Sequence, residues 1–475
     1  MKRRSILTVI LALMAVAVSL PLNVKAQTSS ILYGSSRNPL MNSVNPAFFP
    51  SNSRVYISLP GVNTNFVSPL AYSSIFQYDS TENKTFINAN NILDTLSDNG
   101  AMRLGLNVHA VGLGLNFNRF FLTFSTQAKV DVGFSMPQGL ITFLNEGNYG
   151  HVGDDYIELL DGQLLTARVY GEAALGFGMN INDNLTIGAR AKLLVGYFDL
   201  STAGSSARLY TAEDYSSITG VMDLRLNNTS ALEVVTDEVT GEKTYKIKSY
   251  MPKNYGINLD LGVRYATDLF EVSASIIDFG PGIHWNDNVQ QIVSAREDNS
   301  FTFSGVDVST MMSGGHLDSA YAQTLIDSLM ALTETKTVDG SDYWTSTPTK
   351  VNVGGMFHFT SGFSAGLHFH GEFDRGLTKV GEVFKTKTTG FYSNTSLLAR
   401  LNLYDWVEIV ASASVITNNG KWNWFNPGVG VTLTPFRSFQ VYAFLDYISN
   451  IYLIDAKQFN MSVGLNLFLG SSSAR

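Results

Sequence analysis

Three histidines of one predicted β-hairpin are the side chains of this sequence best suited to bind a metal ion. His358, His368 and His370 all occupy even positions between Lys350 and Phe373, and Ser361-Gly362 marks the turn. Side chains alternate along a strand, so we expect the three imidazoles on one face, with His358 diagonally close to His368. Imidazoles bind zinc, but a third ligand has to be assumed. We therefore favour the alternative that these side chains line a wet lumen, and we predict neither a metal nor a cofactor.

A second set of side chains is charged and also shares one face of a predicted hairpin. Arg168, Glu172, Arg190 and Lys192 stand at even positions among glycines and hydroxyl side chains. These charges could orient an anionic solute, or they could form a ladder that stiffens a barrel wall or holds a plug. We favour the ladder, because interior polar and charged side chains are usual in membrane barrels.

Other chemistry is excluded or unsupported. The chain has no cysteine, which rules out disulfides, thiolate metal sites and a cysteine nucleophile. No nucleophile–base motif, phosphate loop or zinc-binding helix motif is present, so we predict that the protein is not an enzyme. Asp278-Phe279-Gly280 resembles a kinase triplet without the accompanying motifs, and we interpret it as a strand that ends at Pro281-Gly282. A net charge of −8 argues against a nucleic-acid partner.

The elements that carry these side chains have the periodicity of long antiparallel strands. Between Leu165 and Asn180 the odd positions are almost all apolar, and the same alternation resumes from Leu185 to Tyr197 after the turn Asn182–Asn184. The pattern recurs along the chain up to the last strand, Phe459–Leu469. We count about fourteen such strands, and an even number in this range is normal for an outer-membrane barrel.

Composition favours a wall that faces lipid. Only 15% of the 475 residues are charged, against about a quarter in a typical soluble domain, whereas the chain has 41 glycines, 30 Phe and 21 Tyr. Aromatic residues predicted near strand ends would form the interfacial girdles of a membrane barrel. They are Tyr197, Tyr265, Trp406, Phe439 and Tyr447. The fold class predicted is all-β, a transmembrane antiparallel β-barrel.

Residues 1–26 have the features of a cleaved secretory signal peptide. Lys2-Arg3-Arg4 is basic, Ile6–Leu20 is apolar and Val24-Lys25-Ala26 is a small-residue cleavage site. No other segment approaches the ~20 apolar residues that a membrane-spanning helix needs. A protein of this kind in a membrane must therefore be a barrel, and we expect it in the outer membrane.

Residues 27–53 are predicted to form an N-terminal plug. Proline cannot donate to a strand ladder, and two Asn-Pro steps interrupt this segment, so it is not a wall strand. The core of the predicted plug is Asn45, Pro46, Ala47 and Phe48. The alternative is a disordered leader, which seldom has so apolar a composition.

Residues 54–475 are predicted to form the barrel, with excursions at 201–253 and 286–346. We expect short helices outside the wall, at Asn88–Leu96, Gln138–Asn145 and Asp318–Leu332.

The chain resembles a family of Bacteroidota outer-membrane barrels of undefined function. The matching motifs are Asn45-Pro46-Ala47-Phe48, Tyr56-Ile57-Ser58-Leu59-Pro60, Glu146-Gly147-Asn148, Tyr170-Gly171-Glu172, Asp260-Leu261-Gly262, Ser275-Ile276-Ile277-Asp278-Phe279-Gly280 and Thr347-Pro348. More distantly the family looks like FadL-type fatty-acid transporters and PorV-type barrels of a secretion machinery. The FadL resemblance implies fourteen strands and an N-terminal hatch.

Two functions remain open from the sequence. One is passive transport of hydrophobic or amphiphilic small molecules, which predicts an apolar cavity beneath residues 38–50. The other is a structural or docking barrel with outer-membrane protein partners, for which the two excursions provide surface. In either case the expected partners include outer-membrane lipid and the barrel-insertion machinery. That machinery usually reads a terminal aromatic residue, whereas here Gly470–Arg475 follow Phe468-Leu469.

Overall fold

A computed structural model of the chain describes most of the predicted barrel. The described ranges are 29–50, 53–68, 70–79, 84–87, 101–135, 137–148, 151–153, 155–161, 165–202, 205–230, 232–236, 243–247, 252–295, 299–303, 335–380, 383–418, 421–436, 438–448 and 456–471. The predicted signal peptide lies outside these ranges. So do residues 27, 28, 51 and 52 of the predicted plug.

Short helices and twenty-seven strands make up the described chain. The helices are α1 (Ser30–Gly34), a 3₁₀ turn (Pro39–Ser43), α2 (Tyr72–Ile75) and α3 (Gln138–Glu146). The strands of the first half are β1 (Ser53–Ser58), β2 (Gly61–Val67), β3 (Phe76–Asp79), β4 (Lys84–Ile87), β5 (Ala101–Asn116), β6 (Phe120–Ser135), β7 (Ile157–Asp161), β8 (Leu165–Asn180), β9 (Leu185–Ser201), β10 (Ser206–Thr211), β11 (Ile218–Asp223), β12 (Arg225–Ser230), β13 (Leu232–Thr236) and β14 (Lys243–Ile247). Those of the second half are β15 (Tyr255–Ala266), β16 (Phe270–Trp285), β17 (Val289–Ser294), β18 (Ser300–Phe303), β19 (Thr335–Asp339), β20 (Tyr343–Thr345), β21 (Thr349–His358), β22 (Phe363–Val380), β23 (Val383–Leu403), β24 (Val407–Asn418), β25 (Lys421–Phe436), β26 (Phe439–Asp446) and β27 (Gln458–Ser471).

The wall is a closed ring of antiparallel strands. β1 and β2 together form one wall strand, because both pair with β5 on one side and with β27 on the other. The ring then runs β5, β6, β8, β9, β15, β16, β21, β22, β23, β24, β25, β26 and β27, which makes fourteen wall strands. The prediction of an all-β antiparallel barrel of about fourteen strands is confirmed.

The two ends of the barrel differ. At one end, called here the short-turn end, two to four residues join consecutive wall strands, at 117–119, 181–184, 267–269, 359–362, 404–406 and 437–438. Ser53 and Ser471, at the start of the first wall strand and the end of the last, pair at this same end. All of the longer connections leave from the opposite end, called here the long-loop end.

The long-loop end carries additional structure. β7, β10, β11 and β18 form a separate four-stranded sheet, and β12, β17, β19 and β20 extend the wall. The polar ribbon predicted within residues 201–253 is the hairpin β13–β14, and the helix predicted at Gln138–Asn145 is α3. The helices predicted at Asn88–Leu96 and Asp318–Leu332 lie outside the described residues. None of the described helices is long and apolar enough to cross a membrane.

Alternation along the wall separates an apolar exterior from a polar interior. On β8, Leu175 and Phe177 point outward and are exposed, whereas Tyr170, Glu172 and Ala174, which precede them, are buried. Exposed aromatic side chains lie around the short-turn end, among them Phe117, Tyr265, Phe359, Tyr404 and Phe436. An apolar exterior with such aromatic residues is typical of a barrel in lipid.

One of the predicted girdle residues lies inside the barrel instead. Tyr447 is fully buried, and its hydroxyl group is 2.8 Å from Ser30 Oγ and 3.0 Å from Asn394 Nδ2. Its assignment to the girdle was therefore wrong. Tyr447 directly follows β26 and has a positive φ of 58°, so the alternation of the strand does not fix the side on which it lies.

Two of the bulges in the wall bear on the predictions made from the sequence. The bulge predicted near Ala110 is present, since the pairing of β5 with β6 shifts between His109 and Val111. The prediction that a strand ends at Asp278-Phe279-Gly280 was wrong, because β16 continues to Trp285. Its pairing with β15 shifts register twice in this region, and Asp278 has a φ of 58°. A bulge of this kind absorbs extra residues without ending the ladder, so Pro281 does not break the strand.

Candidate functional site

Residues 29–50, called here the luminal segment, lie inside the ring of strands. α1 begins at Ser29, whose Oγ accepts a hydrogen bond from Leu32 N at 3.1 Å. The 3₁₀ turn begins after Asn38, whose Oδ1 accepts from Leu40 N at 2.9 Å, and Pro39 occupies its first position. These caps supply partners for amides at the ends of two very short helices.

Apolar side chains of the luminal segment form the main hydrophobic core together with the wall. The cluster joins Ile31, Leu32, Tyr33, Met41, Val44 and Phe48 of the segment to Met356, Leu398, Val410, Tyr442 and Phe444 of the wall. The core of this barrel therefore lies between the segment and the inner surface of strands β21 to β26.

Of the four residues predicted as the core of the plug, Asn45, Pro46 and Ala47 lie against β9, β15 and β16. Phe48 belongs to the hydrophobic core. Asn45 Nδ2 donates to the carbonyl oxygens of Val263 and Ala274, each at 3.2 Å, and Asn45 Oδ1 accepts from Ala47 N. The wall approaches closely because it presents glycine here. A Cβ atom at Gly262 would be 2.0 Å from Asn45 Oδ1, and one at Gly188 would be 2.2 Å from Pro46 O.

Two buried carboxylates of the wall bind the beginning of the luminal segment. Asp446 accepts hydrogen bonds from Ser29 Oγ and from Ile31 N. Glu408 accepts from Ser35 Oγ at 2.5 Å, from Ser36 N at 3.1 Å and from Ser36 Oγ at 2.7 Å. Neither carboxylate forms an ion pair within the described part of the chain, although both are fully buried. The segment supplies hydroxyl and amide donors in place of cations.

Charged side chains of the opposite wall form what we call the ion-pair cluster. Its members are Lys129, Glu172, Arg190, Lys192, Asp260, Asp278 and Lys350. Lys192 Nζ is at its centre, 2.6 Å from Asp278 Oδ1, 2.9 Å from Asp260 Oδ2 and 3.9 Å from Glu172 Oε1. Lys129 Nζ pairs with Glu172 Oε2 at 2.6 Å, and Lys350 Nζ pairs with Asp278 Oδ2 at 3.2 Å.

The structure brings three of the four predicted luminal charges together. Glu172, Arg190 and Lys192 belong to the ion-pair cluster, and Arg190 also donates to Asn42 O of the luminal segment at 3.1 Å. Arg168 instead pairs with Asp199 at 2.8 Å and donates to Ser346 O.

A cavity of about 150 Å³ separates the luminal segment from this cluster. Leu32, Leu40 and Val44 contribute an apolar side. The charged side chains of its lining are four cations and two carboxylates, namely Lys129, Arg190, Lys192, Lys350, Glu172 and Asp278. The cavity that we expected beneath residues 38–50 is therefore present, but its lining is mixed instead of apolar.

The three histidines are not assembled as a metal site. His368 lies opposite Gly354 and His358 lies opposite Ser364, so the two are four residues apart along the hairpin, or ~13 Å. The prediction that His358 lies close to His368 was wrong, because the register of the hairpin separates them. Among the described residues, no group of three or more His, Asp or Glu side chains is arranged to hold a metal ion.

His368 and His370 instead support the luminal segment. Both are fully buried, and the ring of His368 stacks on that of Tyr33 with centroids 4.2 Å apart. His368 Nδ1 is 3.1 Å from Ser30 Oγ, and both histidines contact Asn352 Oδ1 through a ring nitrogen.

The profile of a family of unknown function, DUF5723, matches residues 46–446. The chain belongs to this family. The match includes every strand from β1 to β26. It also includes Pro46, Ala47 and Phe48 of the predicted plug, but not Asn45. No curated protein sequence matches this DUF5723 chain.

Three solved structures to which this DUF5723 chain is similar are a FadL homologue, a toluene transporter and a hydrocarbon channel. A FadL homologue of Pseudomonas aeruginosa is 10% identical with a TM-score of 0.45, covering 94% of this chain and 99% of that one. The toluene transporter TodX of Pseudomonas putida is 10% identical with a TM-score of 0.43, covering 94% and 98%. The monoaromatic hydrocarbon channel CymD is 10% identical with a TM-score of 0.39, covering 92% and 94%.

Sequence reasoning missed several members of the site. Lys129, Asp260 and Lys350 were not assigned to it, although all three stand on strands with clear alternation. Asp278 could not be placed by alternation at all, because it and its neighbour Ile277 are both buried across a bulge. The carboxylates of Glu408 and Asp446 were missed because their partners lie more than 370 residues away in the chain.

Proposed function

We propose that this protein is an outer-membrane channel for small amphiphilic molecules with an anionic head group, and that the luminal segment is its plug. Its exterior suits lipid, since outward-facing side chains such as Leu175, Ile257 and Leu397 are exposed and apolar. Short turns face the periplasm in such barrels and long loops face outside. The short-turn end is accordingly the periplasmic end.

The observation that carries the proposal is the two-sided cavity. Leu32, Leu40 and Val44 offer an apolar surface to one part of a molecule, and the lysines of the ion-pair cluster lie opposite. Cations outnumber carboxylates by four to two in the lining. A bound molecule with an apolar body and an anionic head would find partners for both parts, whereas a purely apolar molecule would have to desolvate charges.

Passage requires the luminal segment to move, and its contacts allow this. Apart from its apolar core contacts, the segment is held by hydrogen bonds to hydroxyl, amide, carbonyl, carboxylate and guanidinium groups, of which Glu408 alone accepts three. A neutral hydrogen bond contributes a net of about 0.5–1.5 kcal/mol and one to a charged group about 1.5–3 kcal/mol, and water replaces each bond when the segment shifts. Residues 29–50 therefore form a removable closure.

A disulfide that locks the segment tests this function directly. Ser30 Oγ and Ser396 Oγ are 2.8 Å apart, one on α1 and the other on β23, and the chain has no cysteine of its own. The double variant Ser30→Cys/Ser396→Cys places two thiols at a distance that suits a disulfide. With the mature barrel in liposomes, the influx of hexanesulfonate is measured by swelling before and after oxidation.

We expect oxidation to reduce the influx to that of protein-free liposomes, and reduction to restore it. The matched control is Ser396→Cys/Ser414→Cys, whose hydroxyl groups are 2.7 Å apart on the neighbouring wall strands β23 and β24. This control disulfide leaves the segment free, so oxidation of the control variant should not change the influx of hexanesulfonate. Equal influx in the locked and unlocked barrel would disprove the plug, and no influx in any form would disprove the channel.

The alternative is a docking barrel, and the long-loop end favours it. The sheet of β7, β10, β11 and β18 is separate from the wall and offers surface to a protein partner. A docking barrel should retain a protein partner through solubilisation from native membranes with a mild detergent. Chemical crosslinking in intact cells, with and without deletion of residues 205–224, distinguishes this function from transport.

A further inference from the structure

A second pocket opens at the short-turn end, away from the ion-pair cluster. It has a volume of about 410 Å³. The side chains around it are Asp268, His358, Thr360, Ser361, Ser364, Arg400 and Asn402. Most are hydroxyl, amide or guanidinium groups, which are the donors that bind oxyanions in proteins.

Arg400 is the central charged group of this pocket. It is only 8% exposed, and it forms no ion pair within the described part of the chain. Its Nη1 donates to Gly34 O of the luminal segment at 3.2 Å, and its Nη2 donates to Ser364 Oγ at 3.3 Å. Its Nε has no hydrogen-bond partner.

A buried cation without a counter-ion is unfavourable unless something else compensates it. Two neutral oxygens accept from Nη1 and Nη2, whereas the buried Nε has no partner. Arg400 lines the pocket. The nearby Arg264 differs, because it pairs with Glu271 at 2.6 Å. Glu271 also interacts electrostatically with Arg400, so one carboxylate faces two guanidinium groups and a net positive charge remains at this mouth.

The hydroxyl groups of the pocket are already organised around this cation. Ser364 Oγ accepts from Arg400 and is also 2.9 Å from His358 Nδ1. Thr360 and Ser361 lie in the turn between β21 and β22 and add two further hydroxyl groups to the lining. One carboxylate, that of the exposed Asp268, lies at the rim and opposes an anion.

We propose that this pocket is a binding site for a small oxyanion, a carboxylate or phosphate group, which Arg400 holds at the periplasmic mouth. The anion accepts from the free Nε and from the hydroxyl groups around it. The site stands whether or not the barrel transports anything, since none of its side chains belongs to the ion-pair cluster. The oxyanion can be free in solution or can be the head group of a larger molecule.

Calorimetric titration of the purified mature barrel, in an uncharged detergent, tests the site. The probes are inorganic phosphate, acetate and butyl phosphate. We expect Arg400→Gln to abolish measurable binding. Arg119→Gln is the matched control, because Arg119 is an exposed residue of another turn at the same end and its loss should leave the affinity unchanged.

Two further variants keep the proposal testable if Arg400→Gln does not fold. A missing heat-dependent shift in its gel mobility would reveal such a failure to fold. Arg400→Lys retains the charge without the planar fork and should weaken binding. Asp268→Asn removes the opposing charge from an exposed side chain and should strengthen it. Tighter binding of butyl phosphate than of phosphate identifies a head group, and equal binding identifies the free anion.

Absence of binding for all three probes would overturn the proposal. So would binding that Arg400→Lys and Asp268→Asn leave unchanged. Neither result bears on the disulfide lock between Ser30 and Ser396, so a failure of this site and a failure of the channel are separately observable.

Discussion

Buried polar side chains have different partners on the two sides of the lumen. On the side of β6, β8, β9, β15, β16 and β21, charged side chains pair with one another across strands in the ion-pair cluster. On the side of β22 to β26, called here the anchoring side, Ser396, His368, Asn394 and two carboxylates bind the luminal segment instead. On the first side the charges find their ion-pair partners within the wall. Hydrogen bonds from Arg190, Thr123 and Asn352 also join that side to the segment. On the second side the two buried carboxylates depend on donors that the segment supplies.

This difference indicates where stability and movement reside. Breaking a buried ion pair by removing one partner costs about 3–5 kcal/mol, because it leaves an uncompensated charge. Removing one neutral hydrogen bond costs about 0.5–1.5 kcal/mol. The ion-pair cluster should therefore govern the free energy of unfolding of the barrel, and the anchoring side should govern the position of the segment.

The largest effect should follow removal of Lys192, the centre of the cluster. Lys192→Met preserves the length of the side chain but leaves Asp260 and Asp278 without their nearest cation. We expect a loss of about 3–5 kcal/mol in the free energy of unfolding, measured by urea titration in lipid vesicles. Arg208→Met breaks the solvent-exposed pair with Glu158 and should leave the free energy of unfolding nearly unchanged. Equal losses would mean that the cluster does not stabilise the wall.

A pair of isosteric substitutions compares the two sides most directly. Asp278→Asn leaves Lys192 and Lys350 short of negative charge and should cost about 2–4 kcal/mol, somewhat less than a broken pair because the amide oxygen still accepts a hydrogen bond. Asp446→Asn removes a charge that has no cation and keeps an acceptor for Ser29, so it should cost at most about 1 kcal/mol. Unfolding curves of both variants in the same vesicles provide the test. A larger loss for Asp446→Asn would contradict the division into two sides.

The sequence predicts the wall much better than it predicts the lumen, for a physical reason. Alternation with a period of two is local, so it placed Glu172 and Lys192 on the inner face without knowledge of any neighbour. The partner of a charge depends on strand order and register, and Lys129 meets Glu172 only because β6 and β8 pair. Asp278 could not be assigned to the inner face, because a bulge interrupts the alternation there.

The sequence indicates the irregular character of the luminal segment but not its contacts with the wall. Proline and apolar side chains at Asn45 to Phe48 indicate an irregular piece that is not a wall strand. Its contacts, however, join residues far apart in sequence, as Ser29 joins Asp446 across 417 positions. No local pattern records such a pairing, and only the closed ring brings β26 next to α1.

An intermediate effect should follow when the wall is pushed against the segment. Gly262→Ala places a methyl group 2.0 Å from Asn45 Oδ1, so the segment must shift while the cluster remains intact. We expect a loss of about 1–3 kcal/mol, together with faster proteolysis within residues 29–50. Gly220→Ala is the control, because nothing lies within 4 Å of a Cβ atom there. Unchanged proteolysis of the segment in Gly262→Ala would show that this close contact does not hold it.

The smallest effect should come from a single hydroxyl group of the anchoring side. Tyr447→Phe removes the contacts to Ser30 and Asn394, but Ser30 Oγ keeps Ser396 and His368 as partners. Because the segment is held by many such bonds, the loss should be about 0.5–1.5 kcal/mol, with the exposed Tyr215→Phe as a neutral control. The same variant should raise the influx of hexanesulfonate, since one contact fewer favours the displaced segment. A loss in the free energy of unfolding comparable to that of Lys192→Met would instead show that Tyr447 stabilises the wall. In that case the anchoring side could not release the segment without unfolding of the barrel.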